Sequence, residues 1–149
     1  MKKKESKDLE SPTLFENFEL IYKINIKIRE WQRKILSEFD LTIPQYCVIK
    51  HLGALGGLTF KDLAEKCNIT RSTMTGIIDI LEIKKKLVIR KDNPDDRRSL
   101  FVILTEKGKE LYDTLPLQNY VFKNYSAGLN PEEIHQLNIL LKKFFNNFN

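Results

Sequence analysis

Apolar residues recur at helical spacing along most of the chain, beginning with a stripe of about six turns from Leu14 to Ile35. Six such segments begin at residues that commonly cap helix N-termini: Thr13, Thr42, Thr59, Thr70, Thr105 and Asn130. Three glycines are expected to end the second helix: Gly53, Gly56 and Gly57. The pattern predicts a mainly α-helical fold.

Two of the predicted helices are short and follow each other closely. One runs from Thr59 to Lys66, and the next begins at Thr70 after a tight turn at Asn68-Ile69. Four apolar residues are predicted to lie on the buried face of the second of them: Met74, Ile77, Ile78 and Leu81. Two short helices joined by such a turn are typical of a helix-turn-helix.

The period of the pattern then changes from helix to strand. Leu87–Arg90 and Ser99–Leu104 are β-branched and apolar, and both are too short for independent helices. Turn-forming residues occupy Asp92–Asp96 between them, so the sequence predicts a β-hairpin. A helix-turn-helix followed by a hairpin is a winged helix, in which a helix enters the major groove of DNA and the hairpin contacts the flanking backbone or minor groove.

The positions of the basic residues along the chain support this interpretation. The 149 residues carry a net charge of +5, and the run Lys84–Lys91 holds five basic residues and no acidic one. Arg97 and Arg98 follow shortly afterwards. Arg71 and Thr73 lie near the N-terminus of the second short helix. Four residues are predicted to lie on its exposed face: Ser72, Thr75, Gly76 and Asp79. Such side chains and helix N-terminal amides are suited to base edges and phosphates.

The composition of the chain argues against several other classes of protein. Hydrophobic residues make up 42% of the chain, which is enough for a core, and the longest apolar stretches are too short to span a membrane. Met1–Lys4 is followed by no apolar region, so we expect no secretory signal and a cytoplasmic location. Two cysteines cannot form a disulfide framework.

Candidate catalytic and metal-binding residues are sparse. His51 and His135 lie on different predicted helices, and Cys47 and Cys67 fall on apolar stripes without evident partners. We therefore expect buried, unreactive thiols, no metal site and no cofactor. Neither a phosphate-binding glycine loop nor a nucleophile elbow is found, so the sequence does not favour an enzyme.

The stretch from Leu41 to Gly108 resembles the MarR family of winged-helix transcriptional regulators. Its most specific part is Asp92–Arg98 leading into Val102–Gly108, which corresponds to the family's wing and the start of the following helix. The earlier matching segments are Leu41–Tyr46, Leu58–Ala64, Thr70–Thr75 and Asp79–Glu82. The resemblance implies a winged helix-turn-helix lobe together with N- and C-terminal helices that build a dimer.

By this resemblance, residues 1–149 form a single MarR-like domain. Residues 41–110 are the DNA-binding lobe, and residues 11–38 and 116–149 are the dimerisation helices. The chain departs from the family between Glu82 and Leu87, where the usual glycine is missing and one extra residue is present. The turn into the wing must therefore close by another route.

The resemblance also implies roles for individual residues. Arg98 would enter the minor groove from the wing tip with Asp96 holding its guanidinium, and Arg97 would serve the same groove or an adjacent phosphate. Together with the residue patterns, this gives the following candidate DNA-binding set: Arg71, Ser72, Thr73, Thr75, Gly76, Lys84, Lys85, Lys86, Arg90, Arg97 and Arg98.

Aromatic residues of the first two helices are candidates for an effector pocket: Phe18, Tyr22, Trp31 and Tyr46. The same spacing also fits a core or a dimer interface. The resulting hypothesis is a homodimeric, sequence-specific DNA-binding transcriptional regulator, a repressor on a palindromic operator, with a small molecule as a further partner. The alternative is a winged-helix protein-interaction module that does not bind DNA.

Overall fold

The computed structural model describes residues 12–93, 95–96, 99–115 and 128–147. Most of these residues are helical, and a small antiparallel sheet forms the wing, as the sequence predicts. In chain order the elements are α1 (Leu14–Glu38), α2 (Ile43–Leu55), β1 (Leu58–Thr59), α3 (Phe60–Cys67), α4 (Arg71–Asp79), a π-helical turn (Ile80–Lys84), β2 (Val88–Asp92), β3 (Leu100–Leu104), α5 (Glu106–Thr114) and α6 (Pro131–Asn146).

The predicted cap residues all occupy N-cap positions in the structure. Each of the six accepts a hydrogen bond from a backbone N–H of the first turn. At α3 the contact is reciprocal, because Thr59 accepts from the Asp62 N–H at 3.1 Å and donates its own hydroxyl to the Asp62 carboxylate at 2.7 Å. These local contacts explain why the helices begin where the sequence pattern places them.

The wing sheet has three strands in the order β1-β3-β2. β2 and β3 form the predicted hairpin, with Val88 opposite Leu104 and Asp92 opposite Leu100. β1, which the sequence did not predict, adds two residues along the other edge of β3, where Leu58 pairs with Val102. The wing is therefore anchored to the chain segment that leads directly into α3.

One hydrophobic core holds the lobe together. Its fully buried members come from α1, α2, α3, α4, the π-helical turn and the strands: Leu36, Val48, Ile49, Leu63, Met74, Ile78, Leu81, Val88 and Val102. Leu36 is the one buried residue of α1, and α6 contributes none. Although α1 has 25 residues, no described helix combines the length and apolar character needed to cross a membrane.

The prediction that Gly53 ends α2 is wrong. Gly53 lies inside the helix, which continues to Leu55 and ends at Gly56 with a φ of 81°. A Cβ at position 53 would stand 2.4 Å from the ring of Tyr112, so this glycine allows α5 to pack closely against α2. Close packing, rather than a turn, explains the residue.

The extra residue before the wing is absorbed by the π-helical turn. The Lys85 N–H donates to the Ile80 carbonyl at 3.1 Å, and the Leu87 N–H donates to the Leu81 carbonyl at 2.9 Å. Lys86 takes the left-handed conformation, with a φ of 57°, in place of a glycine. A π-helical turn accommodates one more residue than an α-helical turn, which is how the chain closes without a glycine.

Candidate nucleic-acid interface

The turn between α3 and α4 fixes the position of α4. Asn68 ends α3 in the left-handed conformation, and its N–H donates to the Glu65 carbonyl at 3.1 Å. Two residues later Thr70 caps α4 by accepting from the Thr73 N–H at 3.2 Å. Met74 and Ile78 then hold the inner face of the helix in the core, fully buried.

Hydroxyl groups cluster at the N-terminus of α4. The Thr70 hydroxyl lies 3.2 Å from that of Ser72 and 2.8 Å from that of Thr73. Arg71 joins them on the exposed surface of the first turn. The cluster is therefore ordered by its own contacts, and it stands where a helix favours an anion.

The outer face of α4 is open to solvent. Thr75 is exposed, and its hydroxyl donates to the Arg71 carbonyl at 3.1 Å, which leaves its oxygen lone pairs available as acceptors. Gly76 is also exposed, and a Cβ added there would meet no atom within 4 Å. The backbone at this point can be approached closely by a ligand.

Arg90 joins α4 to the wing, which the sequence analysis did not anticipate. Its guanidinium donates to the carboxylate of Asp79 at the end of α4 and lies 3.1 Å from the carboxylate of Glu82. Its backbone N–H also donates to Glu82 at 2.9 Å, and the guanidinium stands 5.4 Å above the ring of Phe60. With these partners Arg90 holds the wing against α4, and a direct contact of Arg90 with DNA stays a prediction.

The base of the wing loop is held by Asn93 and Ser99, neither of which was a candidate site residue from the sequence. The buried Asn93 side chain donates to the Ser99 hydroxyl at 2.7 Å and accepts from the Asp95 N–H at 3.0 Å. The second contact is an Asx turn, which the sequence Asn93-Pro94-Asp95 could have indicated. Asp96 is exposed, and its carbonyl accepts from the Ser99 N–H. Arg97 and Arg98 lie outside the described residues.

The three lysines before β2 differ in their surroundings. Lys84 and Lys86 are exposed. The ammonium of Lys85 lies 2.5 Å from the Asp40 carboxylate, and the Lys85 side chain is only 18% exposed. Lys85, directly after the π-helical turn, therefore binds Asp40, two residues beyond α1, whereas Lys84 and Lys86 offer their charge to solvent.

The four aromatic residues proposed for an effector site fall into two groups. Phe18 and Tyr22 are exposed on α1, where Phe18 makes an edge-to-face contact with Phe144 of α6 at a ring separation of 5.1 Å. Trp31 and Tyr46 are half-buried and pack against the core of the lobe. None of the four lines the open cleft of about 550 Å³ between the end of α1 and α5, which Phe39, Lys85 and Leu111 border.

The expectation that the cysteines and histidines lack partners is wrong for three of them. Cys47 and His51 lie one turn apart on α2, and Cys67 ends α3, with one ligand atom from each within 4.8 Å of the others. The two thiols are half-buried rather than buried. A hydrogen bond between them lowers the pKa of Cys47 and raises that of Cys67, while desolvation and the nearby Lys50 and Lys66 lower the pKa of His51.

A helix-turn-helix packed against an antiparallel wing is a winged helix-turn-helix, a class of DNA-binding fold. The MarR family model matches residues 41–100. The HTH-type transcriptional regulator YhbI of Bacillus subtilis is 34% identical over 116 residues, covering 78% of this chain and 71% of YhbI. The homoprotocatechuate degradative operon repressor of Escherichia coli is 31% identical over 113 residues, covering 75% and 76%. The chain belongs to the MarR family of transcriptional regulators.

Solved structures agree with this assignment. The Staphylococcus aureus MepR–DNA complex superposes with a TM-score of 0.76 at 26% identity, covering 87% of this chain and 96% of MepR. A mutant E. coli MarR complexed with operator DNA gives 0.72 at 27% identity, covering 89% and 99%. Bordetella bronchiseptica BpsR, described as regulated in DNA binding by 6-hydroxynicotinic acid, gives 0.74 at 25% identity, covering 93% and 100%.

Proposed function

We propose that this protein is a homodimeric repressor that binds a palindromic operator in double-stranded DNA. In this proposal α4 lies in the major groove, with Ser72, Thr75 and Gly76 facing base edges and Arg71 and Thr73 near phosphates. Arg97 and Arg98 of the wing reach the flanking minor groove, with Asp96 positioning Arg98. The observation that carries the proposal is the solvent-exposed outer face of α4 beside a wing held to it by Arg90.

The dimer is proposed from apolar surface that the monomer leaves uncovered. The side chains concerned lie on α1 and α6 and are each at least 37% exposed: Leu14, Phe15, Phe18, Leu20, Ile21, Tyr22, Ile24, Ile26, Ile28, Ile134, Leu137, Ile139, Leu140, Leu141 and Phe145. An exposed apolar surface of this kind on two helices is typical of a protein–protein interface. Phe18 and Phe144 already join the two helices, so a second copy can bury both at once.

Dimer formation is tested by sedimentation of the full chain. A paired Leu137→Asp, Leu141→Asp variant places two charges on the α6 surface and should sediment as a monomer at micromolar concentration. Lys142→Asp, at an exposed charged position of the same helix, is the matched control and should remain dimeric. Monomeric wild-type protein would contradict the proposed dimer.

DNA binding is tested by a titration on duplex DNA against salt concentration. If each subunit neutralises about four phosphates, a dimer should give a log-log slope of about −7. Exposed basic residues supply this charge: Arg71, Lys84, Lys86 and Lys91. A slope near zero would favour the alternative, a winged-helix module that binds protein and not DNA.

A small-molecule effector completes the proposal, and it is supported by BpsR, whose DNA binding is described as regulated by 6-hydroxynicotinic acid. We propose that its site lies near Trp31 of α1 and Tyr46 of α2, which are both half-buried, with Phe18 and Tyr22 of α1 as further candidates. Trp31 is the single tryptophan of the chain, so its fluorescence reports directly on this region. Titration with small aromatic acids should change that fluorescence and weaken DNA binding together.

A further inference from the structure

We propose that Cys47, His51 and Cys67 form a binding site for a zinc-type cation. Two of the three residues are one helical turn apart on α2, and the third is brought to them by the packing of α3. Two sulfurs and one imidazole nitrogen are the ligand types that zinc prefers. The site is separate from the DNA-facing surface of α4 and uses none of its residues.

The geometry is close to that of a bound cation. In a tetrahedral zinc site, metal–ligand distances of about 2.0–2.3 Å place neighbouring ligand atoms about 3.4–3.8 Å apart. The three ligand atoms already lie within 4.8 Å of one another, so movements of about 1 Å or less would close the site. Side-chain rotation at half-buried positions can supply such movements without unfolding either helix.

The three side chains would fill three positions of a tetrahedral site. Among the described residues no fourth histidine, cysteine or carboxylate joins the group, so the fourth position would be taken by water or by a small thiol.

The position of the site gives it a structural consequence. A cation held by both α2 and the end of α3 would fix the angle between these helices. Only Asn68 and Ile69 separate Cys67 from Thr70, the N-cap of α4. The orientation of α3 on α2 therefore also affects the orientation of α4. Occupancy should therefore raise the melting temperature of the lobe.

The test is a titration of the reduced full chain with Co²⁺ under anaerobic conditions. One equivalent should produce a thiolate-to-cobalt charge-transfer band and the intense visible bands of a tetrahedral site, and one equivalent of Zn²⁺ should abolish both. Cys47→Ser, Cys67→Ser and His51→Ala should each weaken binding by more than about 100-fold, since loss of an outer-shell partner alone costs about 10–100-fold. His135→Ala, at an exposed position of α6, is the control and should bind as the parent does.

A second measurement uses the unaltered protein and so does not depend on how the variants fold. Alkylation of Cys47 and Cys67, followed by mass spectrometry, should slow in the presence of Zn²⁺ at one equivalent. Absence of the charge-transfer band, unchanged alkylation rates, or a Cys47–Cys67 disulfide that forms while Zn²⁺ is present would overturn the proposal.

Discussion

Arg90 on the first hairpin strand donates to Asp79 at the end of α4, and this contact links the helix and the wing that we propose as the DNA-binding elements. Glu82 accepts from both the side chain and the backbone of Arg90, so three elements meet at one guanidinium. The side chains of Arg90 and Glu82 are 27% and 23% exposed, so this ion pair is partly shielded from solvent, while Asp79 is 46% exposed. The orientation of the wing relative to α4 is thus a property of the folded monomer.

Arg90→Ala should lower the free energy of unfolding by about 1–3 kcal/mol, because it leaves Asp79 and Glu82 without their shared donor. Lys91→Ala, at the exposed neighbouring position of β2, should change it by less than about 0.5 kcal/mol. Urea denaturation measures both values. If Arg90 contacted a phosphate instead, its removal would reduce the salt slope of DNA binding by about one. Equal stabilities of the two variants would contradict the bracing role.

Gly108→Ala should destabilise the protein by about 2–3 kcal/mol. A Cβ there would stand 2.1 Å from the Leu87 carbonyl oxygen, which already accepts from the Thr105 N–H. Gly76→Ala is the matched substitution in α4, where a Cβ has open space, and it should stabilise the helix by about 0.5–1 kcal/mol. Thermal melts of the two variants should therefore shift in opposite directions.

Much of the fold could be predicted because its determinants are local. Thr13, Thr42 and Asn130 cap their helices through residues only three positions away, and such contacts are visible in the sequence. The buried face of α4 follows from spacing in the same way. The same local chemistry predicted the hairpin but not β1, since a two-residue strand has no pattern of its own.

What the sequence did not reveal depends on contacts between distant segments. Cys67 reaches Cys47 and His51 only through the packing of α3 on α2, although the i, i+4 spacing of Cys47 and His51 was visible. Arg90 appeared as part of a basic run, because nothing local indicates its pairing with Asp79 eleven residues earlier. Within the candidate site, the exposed face of α4 could be predicted from the periodicity of the sequence. The contact of Arg90 that holds the wing against α4 could be recognised only in the structure.

The stability of the α3 cap should depend on pH in the acid range. Hydrogen bonding from Thr59, opposed by a smaller desolvation effect, lowers the pKa of Asp62 below its ordinary value of 3.8. Folding therefore makes Asp62 release its proton more readily, so its contribution is complete above pH 3.8 and is lost as the pH falls through the folded-state pKa. Asp62→Asn should cost about 1 kcal/mol at pH 7, and the difference from the parent should shrink below pH 4. Denaturation at pH 7 and pH 3 measures the change, and a constant difference would contradict it.

Arg98→Ala and Ser72→Ala should affect DNA binding differently. Loss of Arg98 is expected to weaken binding by about 1–3 kcal/mol per half-site, with a smaller salt slope and less preference for A/T-rich flanks. Ser72→Ala should instead alter discrimination within the half-site, because α4 is proposed to face base edges. Competition between variant operators separates the two effects, and thermal melts check the fold. Unchanged affinity for Arg98→Ala would contradict the proposed minor-groove contact of the wing and leave Lys84 and Lys86 as the basic residues beside it.

The most direct test of the central claim is selection of bound sequences from a pool of random DNA duplexes by the full-length protein. A homodimer with two α4 helices in successive major grooves should enrich a palindrome whose half-sites are centred about 10 base pairs apart. Ser72→Ala should shift the preference inside each half-site and leave the spacing unchanged. Failure to enrich any sequence, or enrichment of a single unrepeated half-site, would contradict the proposal that this chain regulates transcription as a dimer on a symmetric operator.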